Sequence, residues 1–199
     1  VMNRLLIRLI GVLLISCANN NESEVPGLSK TERIAAAEFG QSMVKIGFSA
    51  LSSELKAQIS SKGMDSAIYA CQLKANPIID SVAKASSTSI QRITLKTRNP
   101  LNKPNKEEKQ LLKLMQRAKK ANEKLNPITF LIDSNTIAYY HPITIGPMCL
   151  NCHGEPGVSM QASTYETILS AYPMDKAINY KLDDLRGLWA VKFDKSALD

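Results

Sequence analysis

Residues 128–153 read Ile128-Thr129-Phe130-Leu131-Ile132-Asp133-Ser134-Asn135-Thr136-Ile137-Ala138-Tyr139-Tyr140-His141-Pro142-Ile143-Thr144-Ile145-Gly146-Pro147-Met148-Cys149-Leu150-Asn151-Cys152-His153. Two β-branched and aromatic runs, 128–132 and 137–145, flank the turn residues Asp133-Ser134-Asn135-Thr136. That pattern predicts a β-hairpin. Hairpin-linked strands make an antiparallel sheet, which separates this chain from an all-helical plan. Upstream, 91–98 alternates, with Ile93, Leu95 and Thr97 on one side and Arg92, Thr94, Lys96 and Arg98 on the other, so a strand is expected there. Downstream, 188–193 reads as a last strand.

Helices fill the rest. Ser29-Lys30-Thr31-Glu32 is a capping box that opens a long N-terminal helix. Its apolar face is read as Val44, Phe48, Leu51, Leu55 and Ile59, and Gly63 stops it. A second stretch is expected over 65–76, broken by Pro77. Ala67, Ile68, Cys71 and Ala75 share one of its faces, so Cys71 points at something apolar. Asn105 with Glu108 caps a third helix to about 124, with Leu111, Leu114, Met115 and Ala118 inward. Ser163 and Glu166 open a short fourth that ends near Pro173. The expected fold is α+β: an antiparallel sheet flanked by helices, with a long N-terminal helix.

The 199 residues contain four Cys and two His. Four Cys is too few for a disulfide scaffold of this length. Two His is too few for a zinc centre built mainly from imidazoles, or for several haems. Cys149, Cys152 and His153 form C-x-x-C-H, the attachment signature of c-type haem. Two thiols at this spacing add to the two vinyl groups of one haem, and the adjacent His is held under the iron. A thiol-redox C-x-x-C usually opens a helix after a strand. Here Gly146-Pro147 and Gly154-Glu155-Pro156-Gly157 read as loop on both sides, which favours a haem loop. Zinc would need a further ligand from a poor pool.

Arg4 and Arg8 precede a short apolar run, 9–15, that ends at Leu14-Ile15-Ser16-Cys17. The run is too short to span a bilayer. It has the layout of a secretory signal with a bacterial lipobox. The expectation is a lipoprotein signal peptide over 1–16, a lipidated Cys17, a polar flexible tether over 17–28 and one domain over 29–199. The membrane partner would be reached through Cys17, on the periplasmic side or at the outer membrane. Cleavage removes two Arg, taking Lys plus Arg from 25 to 23 against 18 acids, a formal charge of +5. Lys106, Lys109, Lys113, Lys119, Lys120 and Lys124 fall in one helical stretch, most simply its solvated face. No aromatic interleaving accompanies them, so nucleic acid is not an expected partner.

Three blocks resemble a known family. They are Arg92-Ile93-Thr94-Leu95-Lys96-Thr97-Arg98-Asn99-Pro100 with Asn102 and Pro104; Tyr140-His141-Pro142-Ile143 through His153-Gly154; and Tyr172-Pro173-Met174-Asp175-Lys176-Ala177 with Tyr180, Asp184 and Arg186-Gly187. The chain is similar to the PAS-like c-type haem domain of exported bacterial proteins, a family of unknown function with cyanobacterial members. The resemblance implies a PAS-like sheet holding one covalent haem c. It also implies a Cys on an early helix as second axial ligand, and Cys71 sits at the matching place. The family usually has Gly where this chain has Asn179 and Asp183, residues that tolerate left-handed backbone well.

From residues alone, the second ligand to iron could be Cys71, His141, Met148, Met160 or Met174. Cys71 could equally be a small buried hydrophobe, and His141 an ordinary strand residue. A thiolate ligand would favour ferric iron and a low reduction potential, which suits sensing better than high-potential electron transfer. Arg92, Lys96 and Arg98, read on one strand face, are candidates to pair with haem propionates; an exposed edge strand would present the same face to water. Three functions follow: a membrane-tethered redox or ligand sensor with an unknown signalling partner, a periplasmic electron-transfer cytochrome, and, least supported, a peroxidase-like enzyme. No catalytic constellation stands out. The absence of an output domain in this stretch keeps electron transfer open.

Overall fold

The computed structural model describes residues 27–198. The expected signal peptide and Cys17 lie outside the described residues. Ser29 caps α1 (Lys30–Ala85) through the anticipated capping box, its hydroxyl taking the Glu32 N–H while the Glu32 carboxylate takes the Ser29 N–H. Leu28, just before it, is buried in the core.

Helix α1 is two arms. Gly63, at φ 82° and ψ 179°, reverses the chain between 30–62 and 64–85. Only glycine is at ease in that region. The arms run back along each other: Lys74 bonds Glu54 at 2.6 Å, and a Cβ on Gly47 would stand 3.3 Å from Ile79. Gly63 therefore stops the first helix as expected. Pro77 does not end the second. It sits exposed within the arm, and Ile79 and Ala83 beyond it are buried in the core. Burying one Ile contributes about 1.5–3 kcal/mol, comparable to the roughly 3 kcal/mol an internal proline costs. The predicted inward face also needs correction at Phe48, which is 61% exposed.

The sheet has four strands, β1 (Ser89–Ile93), β2 (Ile128–Leu131), β3 (Thr136–Thr144) and β4 (Leu185–Asp194), in the order β1-β4-β3-β2. Every pairing is antiparallel. The fold class is therefore α+β, as expected, with the hairpin β2–β3 at one edge. The α1 arms cover one face, packing Ala36, Met43, Val44, Ile79 and Ala83 on Ile137, Tyr139, Trp189 and Val191. Helix α2 (Lys106–Lys120), capped by Asn105 and Glu108, covers the other with Leu112 and Met115 on Ala138, Tyr140, Leu188 and Ala190. Leu114, expected inward, is 58% exposed. The two layers explain why β4 is apolar almost throughout: both of its faces are covered.

Strand β1 is shorter and earlier than the predicted 91–98. Beyond Ile93 the chain leaves the sheet, and the Thr94 N–H bonds the Asn102 carbonyl. Alternation persists because Leu95 still packs under α2, while Lys96 and Arg98 reach the other way. Of the three basic residues, only Arg92 lies on a strand; Lys96 and Arg98 are on the loop after it. Helix α4 (Ala162–Ala171) forms where expected, but Ser163 is inside it and Gln161 precedes it without a side-chain cap.

Candidate haem-binding site

The site lies at one end of the sheet, where β1 and β3 finish and β4 begins. Its floor is the C-x-x-C-H segment, which is wound rather than open loop: Pro147–Cys149 forms a 3-10 turn that runs into the single-turn helix α3 (Leu150–His153). Proline at the start favours that winding. The winding separates the thiols. Cys149 packs beside Ile145, Ala177 and Tyr180. Cys152 packs beside Ile68, Met160, Ile168 and Tyr172, with its Sγ 3.7 Å from Met64 Sδ. Gly154 follows because a Cβ there would run into Ser159 and the Leu150 carbonyl.

His153 has one ring nitrogen committed. Nδ1 stands 2.7 Å from the Ala177 carbonyl oxygen, an acceptor only, so Nδ1 carries the proton and donates it. The lone pair is then on Nε2. Burial holds the imidazole well below the ordinary histidine pKa, and Arg186, Arg98 and Arg92 push it the same way. His153 is therefore neutral, the state in which an imidazole ligates a metal.

Cations gather around this histidine. Arg98 donates to both carboxylate oxygens of Asp175 at 3.1 Å and to the Cys152 carbonyl at 2.6 Å. Lys96 lies 4.3 Å from the Tyr180 ring centre and donates to the Ile178 carbonyl. Arg186 donates to Thr94 Oγ1 at 2.7 Å and stacks on the same ring. Arg92 stacks on Trp189. Burial pulls Arg92, Arg186 and Lys96 below their ordinary pKa values. Of these four cations, Arg98 is the one with a carboxylate within ion-pair distance, Asp175. Arg92 and Arg186 are deeply buried and Lys96 partly so, with Asp175 and Asp184 acting on Arg186 or Lys96 only at longer range, and such cations are costly unless an anion joins them. The carboxylates of a porphyrin would supply that charge, and the two thiols and the free Nε2 are groups that could hold it, so the residues fit a haem.

Cys71, on the second arm of α1, is a half-buried free thiol within electrostatic reach of Cys152, Arg92 and Tyr172. Burial raises its pKa, and Arg92 and Arg98 oppose the rise. The other candidates are exposed or otherwise engaged. Met148 and Met174 are 62% and 73% exposed, Met160 is packed behind Cys152, and His141 bonds the Tyr139 hydroxyl at 3.0 Å. Sequence reasoning assigned no role to Arg186, Asp175, Ala177 or Tyr180. A signal existed for Arg186, a charge inside an otherwise apolar strand. None existed for Ala177, which acts through its backbone.

A family model described as Tll0287-like matches residues 28–193. Among solved structures, the crystal structure of the cyanobacterial haem protein Tll0287 matches with a TM-score of 0.51 at 22% identity, covering 74% of this chain and 91% of that one. No curated protein matches the chain. Asn179 and Asp183 have φ of 58° and 67°, so the left-handed turns that glycine would serve are kept. With its fold, its wound C-x-x-C-H segment and a match over nearly the whole domain, the chain belongs to the Tll0287-like family.

Proposed function

We propose that this chain is an exported, membrane-tethered protein that carries one covalently attached haem c and senses redox state or a small ligand. The observation that carries the reading is the His153 Nδ1–Ala177 carbonyl bond, directly after two thiols that pack against separate apolar clusters. A bound haem supplies a one-electron couple and an iron coordination site. Everything else is done by the chain. Cys149 and Cys152 hold the ring edge, His153 presents Nε2, and Arg92, Lys96 and Arg186 take the carboxylates. Cys71 faces the site as a candidate thiolate, and the haem character of the relative Tll0287 supports the same cofactor here.

His153 and a Cys71 thiolate, if both held the iron, would favour the ferric state. A low potential of that kind suits sensing better than high-potential electron transfer. Redox titration of the holoprotein tests the reading. A strongly negative midpoint, with rapid reversible binding of carbon monoxide or nitric oxide after reduction, is expected. A high midpoint with no gas binding would instead mark an electron-transfer cytochrome.

A further inference from the structure

Resting on the reading of His153 as an iron ligand, we propose that Asp175 and Arg98 are positioning residues for that histidine and set how strongly it donates. The geometry is a closed circuit. Asp175 Oδ1 accepts the Ala177 N–H at 2.9 Å, and both its oxygens accept from Arg98. The Ala177 carbonyl accepts the His153 Nδ1 proton at 2.7 Å and is reached by Arg98 Nη2 at 3.4 Å. The same Nη2 holds the carbonyl of Cys152, the residue before His153. One ion pair thus clamps both the peptide that receives the ring proton and the backbone that carries the ring.

The pair is enclosed, with side-chain exposures of 13% for Arg98 and 0% for Asp175. A buried ion pair is a poor source of stability but holds a fixed arrangement when its hydrogen bonds are complete. Here, besides the bonds within the pair, the bonds end on the backbone of Cys152 and Ala177. The consequence is electronic as well as geometric. A histidine that gives its second N–H to a strong acceptor gains basicity at the other nitrogen. Arg98 draws on the same carbonyl oxygen, so it restrains that gain. Asp175 in turn draws Arg98 away from the carbonyl and keeps the restraint partial.

Two substitutions carry opposite signs. Arg98→Lys keeps the charge but has no fork to span the carboxylate and both carbonyls. It releases the Ala177 oxygen to His153 and lowers the midpoint potential. Asp175→Asn removes the anchor of Arg98, shifts its guanidinium onto the carbonyls and raises the midpoint. Each shift is expected to change the ferric-to-ferrous ratio about threefold to tenfold at fixed potential, where tenfold is about 59 mV. The measurement is redox titration of holoprotein, alongside an acid-acetone test of haem attachment. If Asp175→Asn yields no holoprotein, Arg98→Lys decides alone. An unshifted or raised midpoint in Arg98→Lys, with haem still attached, overturns the positioning role only. A wild-type protein without attached haem overturns the underlying reading, and the proposal with it.

Discussion

Cys71 tests the site at the scale of a single residue. Burial raises the pKa of its thiol, and the charges of Arg92 and Arg98 oppose the rise. If it ligates iron, Cys71→Ala shifts the ferric absorption spectrum and raises the midpoint potential, because a strong anionic donor is lost. An unchanged spectrum would return Cys71 to the apolar packing of α1. At this scale much of the site was legible. Cys149, Cys152 and His153 announce themselves by spacing, and Lys96 and Arg98 by an unusual density of charge near a strand. The partner of His153 was not legible, because the Ala177 carbonyl belongs to a backbone that any residue could supply. Nor was the enclosure of Arg186, which depends on the 94–98 loop folding over it.

The hairpin made by the two arms of α1 decides where Cys71 stands. It turns at Gly63, whose φ of 82° and ψ of 179° exclude side-chain-bearing residues on backbone grounds alone, since no atom lies within 4 Å of a Cβ there. Gly63→Ala is expected to lower unfolding free energy by ~1–3 kcal/mol, read as a lower urea midpoint. The second arm would swing with it, so the same variant should perturb the ferric spectrum if Cys71 is a ligand. The glycine was visible in the sequence as a stop. That the chain doubles back there was not, because local periodicity carries no information on how two helices meet. Pro77 misled for a related reason: its local effect is to break a helix, and burial of Ile79 and Ala83 beyond it outweighs that effect. The end of β1 was likewise set by a distant residue. A Cβ on Gly187 would collide with the Ile93 carbonyl, so β1 and β4 close together there and the chain turns away into the site.

Across the whole molecule, the two ends of the domain are tied by Glu32. Its carboxylate completes the cap of α1 and pairs with Lys195 at 2.7 Å, just beyond β4. These bonds lower its pKa from 4.5 to about 2, the Lys195 bond first. A depressed carboxylate pKa means stability that is present above the unfolded value and lost as pH falls through the folded one. Stability should therefore decline between about pH 4.5 and pH 2. Glu32→Gln should lower the urea midpoint at pH 7 and leave a shallower decline with acid; equal acid sensitivity in both proteins would remove Glu32 from the account. At this scale the sequence reading placed the antiparallel sheet, the hairpin and the flanking helices correctly. It did not anticipate that the ends of β1 and β3, the start of β4 and the second arm of α1 converge on one cluster of charge. That convergence brings the cations to His153, whose bond to the Ala177 carbonyl carries the haem reading. Acid-acetone extraction of the purified full-length protein, made in cells that mature c-type haem, tests it most directly. Haem colour should stay with the precipitated protein in the wild type and be lost in Cys149→Ser/Cys152→Ser. Free haem in the wild-type extract, or a protein purified without haem, would contradict the account.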